Sequence, residues 1–336
     1  VLNILNVSPE ARLEVNALFL QPSFWCARNC PGCYVKAHYN GGPQSYHLPY
    51  QEQIQIFTLF YEGIVAWANQ ITIAIDNLPA YENNPLVRRS SRNNLISMFE
   101  EVLLALSTDS LIEHPEVHLT FRSLDTLLDY MNISHGRWSE LKNINMITLS
   151  NITEKDIVSL GKQKSLLGYV PLNYNHMCQP NVTSTNVNKY VKHLIKVGEV
   201  VDSIYMVLFK KPLGMPSNSE EDEANLSGSL RYIQTMKERL PQHISDKIHI
   251  DGCIEDAQNF LQTGFGCSSN CSRFQVWPDG SVSGCAYAWK SNTPEAKTAE
   301  DVLTNIRLAR GFYDFEQCNL PRLLDHIQRR PTGIYR

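Results

Sequence analysis

Leu13-Glu-Val-Asn-Ala-Leu-Phe-Leu20, followed closely by Cys26-Ala-Arg-Asn-Cys30-Pro-Gly-Cys33-Tyr34, decides how the rest of the chain is read. The first stretch is an apolar, strand-like run, and the second is a loop with the spacing C-x3-C-x2-C. Three thiolates so close together cannot all pair as disulfides, and they can fold around a single centre. Cysteine thiolates are the usual ligands of iron–sulfur clusters. A cubane needs four ligands, so three cysteines leave one iron open to a small molecule. Structural zinc is the competing reading, because C-x2-C is also common in zinc ribbons. Zinc wants a fourth protein ligand; His38 and His47 are within reach, but no second C-x2-C pair follows nearby.

At 336 residues, with 43% hydrophobic and 19% charged side chains, the chain suits a barrel-sized globular domain with an appendage. Its 30 basic and 34 acidic residues leave a net charge of −4, so no global pull toward nucleic acid or an anionic membrane is expected. No apolar stretch approaches a membrane span, and the N-terminus lacks a signal peptide's layout. Nine cysteines without an export signal argue for thiolate ligands in a reducing compartment, which predicts a cytoplasmic protein.

Downstream, strand-like and helix-like runs alternate. Apolar spacing predicts a helix over Gln51 to Asn69, then a strand at Ile71 to Ile75. A helix over Leu95 to Leu106 precedes a strand at Val117 to Phe121, and helix Leu124 to Met131 precedes strand Met146 to Leu149. Helix Glu154 to Leu160 leads to strand Leu167 to Leu172, and helix Val187 to Val197 to strand Ile204 to Phe209. With Leu13 to Leu20 this makes six strands with crossover helices, the pattern of an α/β fold with parallel strands. Six such units suit an incomplete barrel, open on one side. The acidic stretch Glu220-Glu221-Asp222-Glu223 reads as a solvated loop.

A second cysteine group begins near Cys253. Cys267 and Cys271 precede Phe274 to Trp277, then Pro278-Asp279-Gly280, then Ser281 to Ser283 and Cys285. Pro-Asp-Gly between two short β-prone runs predicts a hairpin, whose open end brings Cys271 and Cys285 together. Four-cysteine zinc is the alternative for this group taken alone.

The N-terminal motif resembles the signature of the radical S-adenosylmethionine (SAM) superfamily, with Gly32 where that family usually has an aromatic residue. Residues 253–285 resemble its SPASM and twitch extensions, in which a hairpin and flanking cysteines hold an auxiliary cluster. The resemblance implies a partial (β/α)6 TIM-like barrel over residues 1–245 and a small β-hairpin/helix auxiliary-cluster extension over 246–336. It implies one [4Fe-4S] cluster held by Cys26, Cys30 and Cys33, with SAM on the open iron. A second [4Fe-4S] cluster falls to Cys253, Cys267, Cys271 and Cys285, with Cys318 the alternative ligand.

Functional groups in parallel α/β folds gather at the C-terminal ends of strands. Tyr34 is expected near the adenine. Asp76 and Asn77 stand where the family usually shows Gly-Gly-Glu-Pro, and either could accept a hydrogen bond from the SAM ammonium. Arg122, Ser150 and Asn173 close the next three strands and suit a carboxylate, ribose hydroxyls and adenine; Ser and Asn serve equally as helix caps. Cys178 follows the fifth strand as a candidate catalytic thiol, or as an inert buried cysteine. The implied activity is SAM cleavage to a 5′-deoxyadenosyl radical that abstracts hydrogen from a peptide or protein-derived substrate. A small molecule or nucleotide is the alternative substrate, and a zinc-stabilised binding protein the alternative without catalysis. A reductant such as flavodoxin or ferredoxin is the expected partner.

Overall fold

In the computed structural model, the residues described are 12–22, 48–74, 115–133, 144–163, 167–168, 170–183, 185–209, 219–263, 272–285, 293–312, 318 and 320–329. The chain divides into two compact units: Val1–Ile147 with Ser269–Tyr313, and Thr148–Ser268 with Asp314–Arg336. Each has an α/β architecture built on parallel strands.

In the first unit, β1 (Leu13–Leu20) lies parallel to β2 (Ala66–Ala74), which lies parallel to β3 (Glu116–Phe121). On its other side β1 pairs in parallel with β8 (Arg273–Val276), which turns back into antiparallel β9 (Val282–Ser283). The Pro-Asp-Gly hairpin therefore forms, and its first strand extends the sheet beside β1. One sheet face is apolar: Leu18, Ile71, Val117, Leu119, Phe121 and Phe274 are all buried. Helix α1 (Tyr50–Tyr61) adds Phe57 and Phe60, each removed from solvent for about 1.5–3 kcal/mol of transfer free energy.

The expected helix over 51–69 is shorter than its apolar pattern. Gly63 takes a left-handed φ of 60° just past the last turn and stops it, and Ile64, Val65 and Trp67 lead into β2 instead. Helix α2 (Leu124–Ile133) follows β3, with Ser123 Oγ accepting the Thr126 N–H at 3.5 Å. Helix α8 (Ala299–Phe312) opens on a capping box: Asp301 accepts from Thr298 N–H while Thr298 Oγ1 accepts from Asp301 N–H. The expected helix over 95–106 lies outside the described residues.

The chain passes to the second unit within β4 (Ile144–Leu149). Helix α3 (Glu154–Gln163) starts on a Thr153–Asp156 capping box. The strand expected at 167–172 is displaced. Gly168 turns at φ 63° and Pro171 has no N–H to donate, so the apolar run forms a turn, and β5 (Leu172–Met177) takes the polar residues after it. Helix α4 (Val187–Gly198) leads to β6 (Ser203–Val207), parallel to β5 and to β7 (Ile248–Ile250).

The acidic stretch 220–223 is the first turn of helix α5 (Ser219–Arg239), not a loop; carboxylates there favour the positive end of the helix dipole. Past the short helix α6 (Gln242–Ser245), helix α7 (Gly252–Thr263) packs on α9 (Leu320–Arg329), and α9 on α5. Among the described residues no helix is long and apolar enough to cross a membrane.

Candidate functional site

The described residues on either side of the first three cysteines, Pro22 and Leu48, come together at one place. Past the C-terminal end of β1, the Gln21 N–H donates to the Val276 carbonyl at 3.0 Å. Where the chain returns, the Leu48 N–H donates to the Pro278 carbonyl at 2.7 Å. The buried Gln53 side chain, in the first turn of α1, donates to the Leu48 carbonyl at 3.0 Å and reaches the Pro22 carbonyl at 3.5 Å. Pro22 and Leu48, which flank residues 23–47, are thus held together beside the hairpin turn, at the C-terminal end of a parallel strand. Cys26, Cys30, Cys33 and Tyr34 themselves lie outside the described residues, as do Asp76, Asn77, Cys267 and Cys271.

Opposite its apolar face, the first unit's sheet carries a row of polar groups. Register places Gln70, Thr72, His118 and Thr120 on the face shared with Ala17 and Phe19, all half-buried apart from the buried Ala17. Gln70 donates to Thr72 Oγ1 at 3.0 Å. His118 lies 3.2 Å from Glu116 Oε2; burial lowers its pKa, and the neighbouring carboxylate opposes that shift. Arg122 follows the end of β3, half-buried, so a cation stands where the parallel strands finish. Ser123, its neighbour, is a helix cap.

The second unit repeats the arrangement. Asn173 is not at the end of its strand: the shift of β5 puts it near the beginning, 2% exposed. Its amide nitrogen reaches Thr148 Oγ1 and Asn175 Oδ1, each at 3.3 Å, and its oxygen accepts from Ser203 Oγ at 2.8 Å. One step further along, Asn175, Tyr205 and His249 form a single register row. Tyr205 and His249 stack with centroids 5.1 Å apart, and Tyr205 and Met177 are exposed. Ser150, just past β4, is exposed as well. These side chains can hydrogen-bond or stack against a polar ligand. The sequence reading missed Tyr205, His249 and Gln53; alternation within β6 was the available signal for the first.

Residues of opposite parity on β5 turn to the helix-covered side. His176 is buried between Tyr174 and Tyr232, with hydroxyls 3.2 Å from Nδ1 and 2.6 Å from Nε2. Burial, reinforced by nearby His193, pushes its pKa down to about 3, so the imidazole is neutral. Cys178 belongs to this side. It is fully buried, its N–H donates to the Val207 carbonyl at 2.8 Å, and burial pushes the thiol's pKa up, which disfavours the thiolate that nucleophilic chemistry requires.

The described members of the second cysteine group fall in both units. Cys285 ends the hairpin in the first unit, where Ser283 Oγ donates to its carbonyl at 2.9 Å. Cys253 sits in the first turn of α7, its N–H donating to Asp251 Oδ1 at 3.0 Å, and Cys318 precedes α9; both belong to the second unit. Among the described residues no three His, Cys, Asp or Glu side chains gather as a metal site, and the segments carrying Cys26, Cys30, Cys33, Cys267 and Cys271 lie outside them.

These features define an α/β protein built on parallel strands, with polar side chains along one sheet face and at strand ends. No family model matches the chain, and no curated protein matches it. Among solved structures it is similar to a mutant tryptophan synthase α-subunit from Pyrococcus furiosus, at 6% identity and TM-score 0.37 over 74% of this chain and 82% of that one. It is similar to tryptophan synthase from M. tuberculosis at 9% identity and TM-score 0.36, over 94% of both chains. A chitinase active domain from P. furiosus aligns at 12% identity and TM-score 0.36, over 91% of this chain and all of that one.

Proposed function

We propose that the chain is a radical SAM enzyme with an auxiliary iron–sulfur cluster. The observation that carries the proposal is the C-x3-C-x2-C trio in the stretch between Pro22 and Leu48, two residues that Gln53 brings together past the C-terminal end of parallel strand β1. The donor set fits a cubane with one open iron, since Cys26, Cys30 and Cys33 supply three thiolates and no fourth cysteine follows nearby. When bound and reduced, such a cluster supplies the electron that splits SAM and yields a 5′-deoxyadenosyl radical able to take hydrogen from a substrate.

The chain's own residues are then assigned as follows. Residues 1–245 make up the proposed partial (β/α)6 barrel, to which β7 and β8 add parallel strands beside β6 and β1, and the remainder of 246–336 is the cluster extension. Tyr34, Asp76, Asn77, Arg122 and Ser150 contact SAM, with Arg122 a partner for its carboxylate. Asn173 orders the polar face through Thr148 and Ser203 and leaves Asn175, with Tyr205 and His249, toward the substrate. Cys253, Cys267, Cys271 and Cys285, or Cys318 in place of one of them, hold the auxiliary cluster. The substrate is a peptide or protein-derived molecule, and a flavodoxin or ferredoxin supplies electrons.

Anaerobic purification and reconstitution test this reading. Two cubanes give about eight iron atoms per chain, and reduced protein releases 5′-deoxyadenosine from SAM. The Cys26→Ala/Cys30→Ala/Cys33→Ala variant loses that release. Stoichiometric zinc in place of iron, or no SAM cleavage under strong reductant, overturns the proposal.

A further inference from the structure

We infer that Asn175, Tyr205 and His249 form a seat for a planar ring that carries a hydrogen-bond acceptor on its edge. Naming that ring as part of the substrate rests on the radical SAM reading; the seat itself does not. The three residues stand side by side on β5, β6 and β7, all in the second unit, on the sheet face opposite His176 and Cys178. His249 stacks on one face of the Tyr205 ring, with planes 25° apart. β7 flanks β6 on one side and β5 on the other, so the remaining face of Tyr205 turns toward Asn175.

Asn173 fixes which way the Asn175 amide faces. Ser203 Oγ donates to Asn173 Oδ1 at 2.8 Å, so the Asn173 nitrogen is the donor to Asn175 Oδ1 at 3.3 Å. With its oxygen engaged in this way, Asn175 offers its NH2 group to a ligand, and among the described residues no acceptor meets it. A donor beside an aromatic face suits a flat group with an acceptor on its rim; an aliphatic chain satisfies neither. Met177 and Tyr205 are large apolar side chains left 39% and 37% exposed on this same face. Exposed apolar groups that adjoin one another mark a binding surface, and Met177 gives the seat a polarisable end opposite the polar Asn173 and Ser203.

Calorimetric titration of the reconstituted full chain tests the seat with N-acetyl-L-tyrosinamide, N-acetyl-L-phenylalaninamide and uridine as probes. The phenylalanine probe has the ring without an acceptor on its edge, so wild type should bind it about five-fold more weakly than the tyrosine probe. Tyr205→Leu should weaken all three probes roughly ten-fold, and Tyr205→Phe, which keeps the ring, should bind as wild type does. Asn175→Ala should bring the tyrosine probe down to the level of the phenylalanine probe and leave the latter unchanged. Melting temperatures measured alongside show that the variants are folded. Tighter binding of uridine assigns the ring to a nucleobase, and tighter binding of the tyrosine probe to a peptide side chain; either supports the seat. Unchanged binding in Tyr205→Leu, or weakened phenylalanine probe in Asn175→Ala, overturns it. Displacement of the probes by S-adenosylhomocysteine also overturns it, because the row would then belong to the SAM site. Protein that cleaves SAM but binds no probe overturns the seat alone, whereas protein that binds the probes but no iron overturns the radical SAM reading alone.

Discussion

His176 Nε2 lies 2.6 Å from the hydroxyl of Tyr232, a residue 56 positions away on α5, and the two rings stack at 16°. With the Tyr174 hydroxyl on Nδ1, a neutral imidazole satisfies both neighbours, donating through one nitrogen and accepting at the other. Tyr232→Phe keeps the ring and leaves one buried imidazole nitrogen without its partner. Denaturant melts should show a loss of about 1–3 kcal/mol. A change below about 0.5 kcal/mol would mean that this contact is incidental to the unit's stability.

The same histidine gives a pH dependence with a definite sign. Its pKa falls from an ordinary 6.5 to about 3 in the folded chain, and that of His193 is lowered too. Below pH 6.5 the unfolded chain takes up a proton that the native site resists, so the unfolded state binds more protons and stability rises with pH. The contribution is complete above pH 6.5 and is lost as pH falls from there toward 3. Stability measured from pH 7 to 4 should therefore decline, and His176→Phe should flatten the slope. An unchanged slope in that variant would assign the acid sensitivity to other groups.

Much of the fold was legible because local chemistry and tertiary packing agreed. The bounds of β1 and the Pro-Asp-Gly hairpin follow from short-range pattern alone. The errors came where an apolar run met a left-handed glycine. Gly63 ends α1 although Ile64, Val65 and Trp67 continue its spacing, and Gly168 breaks what reads as a strand. The strand that does form, Leu-Asn-Tyr-Asn-His-Met, carries polar residues on both faces, because Asn173 on one and His176 on the other are satisfied by Thr148, Ser203 and Tyr232, none of them a local neighbour. Of the candidate site, the cysteine spacing was readable, whereas Gln53 was not: its two acceptors are defined only once β1 and α1 have packed.

Two glycines with similar backbone angles should respond differently to alanine. Gly280 turns the hairpin at φ 73°, and a Cβ there would come 2.6 Å from Ala296 Cβ and 3.2 Å from Val302 Cγ2. Gly168, at φ 63°, has open space around it. Left-handed backbone costs an L-residue about 1–2 kcal/mol, so Gly168→Ala should lose about that much. Gly280→Ala should lose clearly more, because Ala296 must move as well. Equal losses in thermal or denaturant unfolding would show that the hairpin turn absorbs the clash.

The two cysteine groups should behave as independent centres. Cys285 lies two residues beyond the Gln275–Ser283 pair, near the level of Arg273, which pairs with Ala17. The first loop departs from Pro22, five residues further along the strand direction, or roughly 16 Å at 3.3 Å per residue. The two stems thus start well apart along the strand direction, which favours two separate centres over one. Cys285→Ala should remove about half the iron of a two-cubane protein and keep SAM cleavage under chemical reductant. Substituting Cys26, Cys30 and Cys33 should remove the other half and abolish cleavage. Iron analysis with EPR of each variant separates the two signals. If Cys285→Ala also erases the first cluster's signal, the groups form one centre and the two-cluster assignment fails.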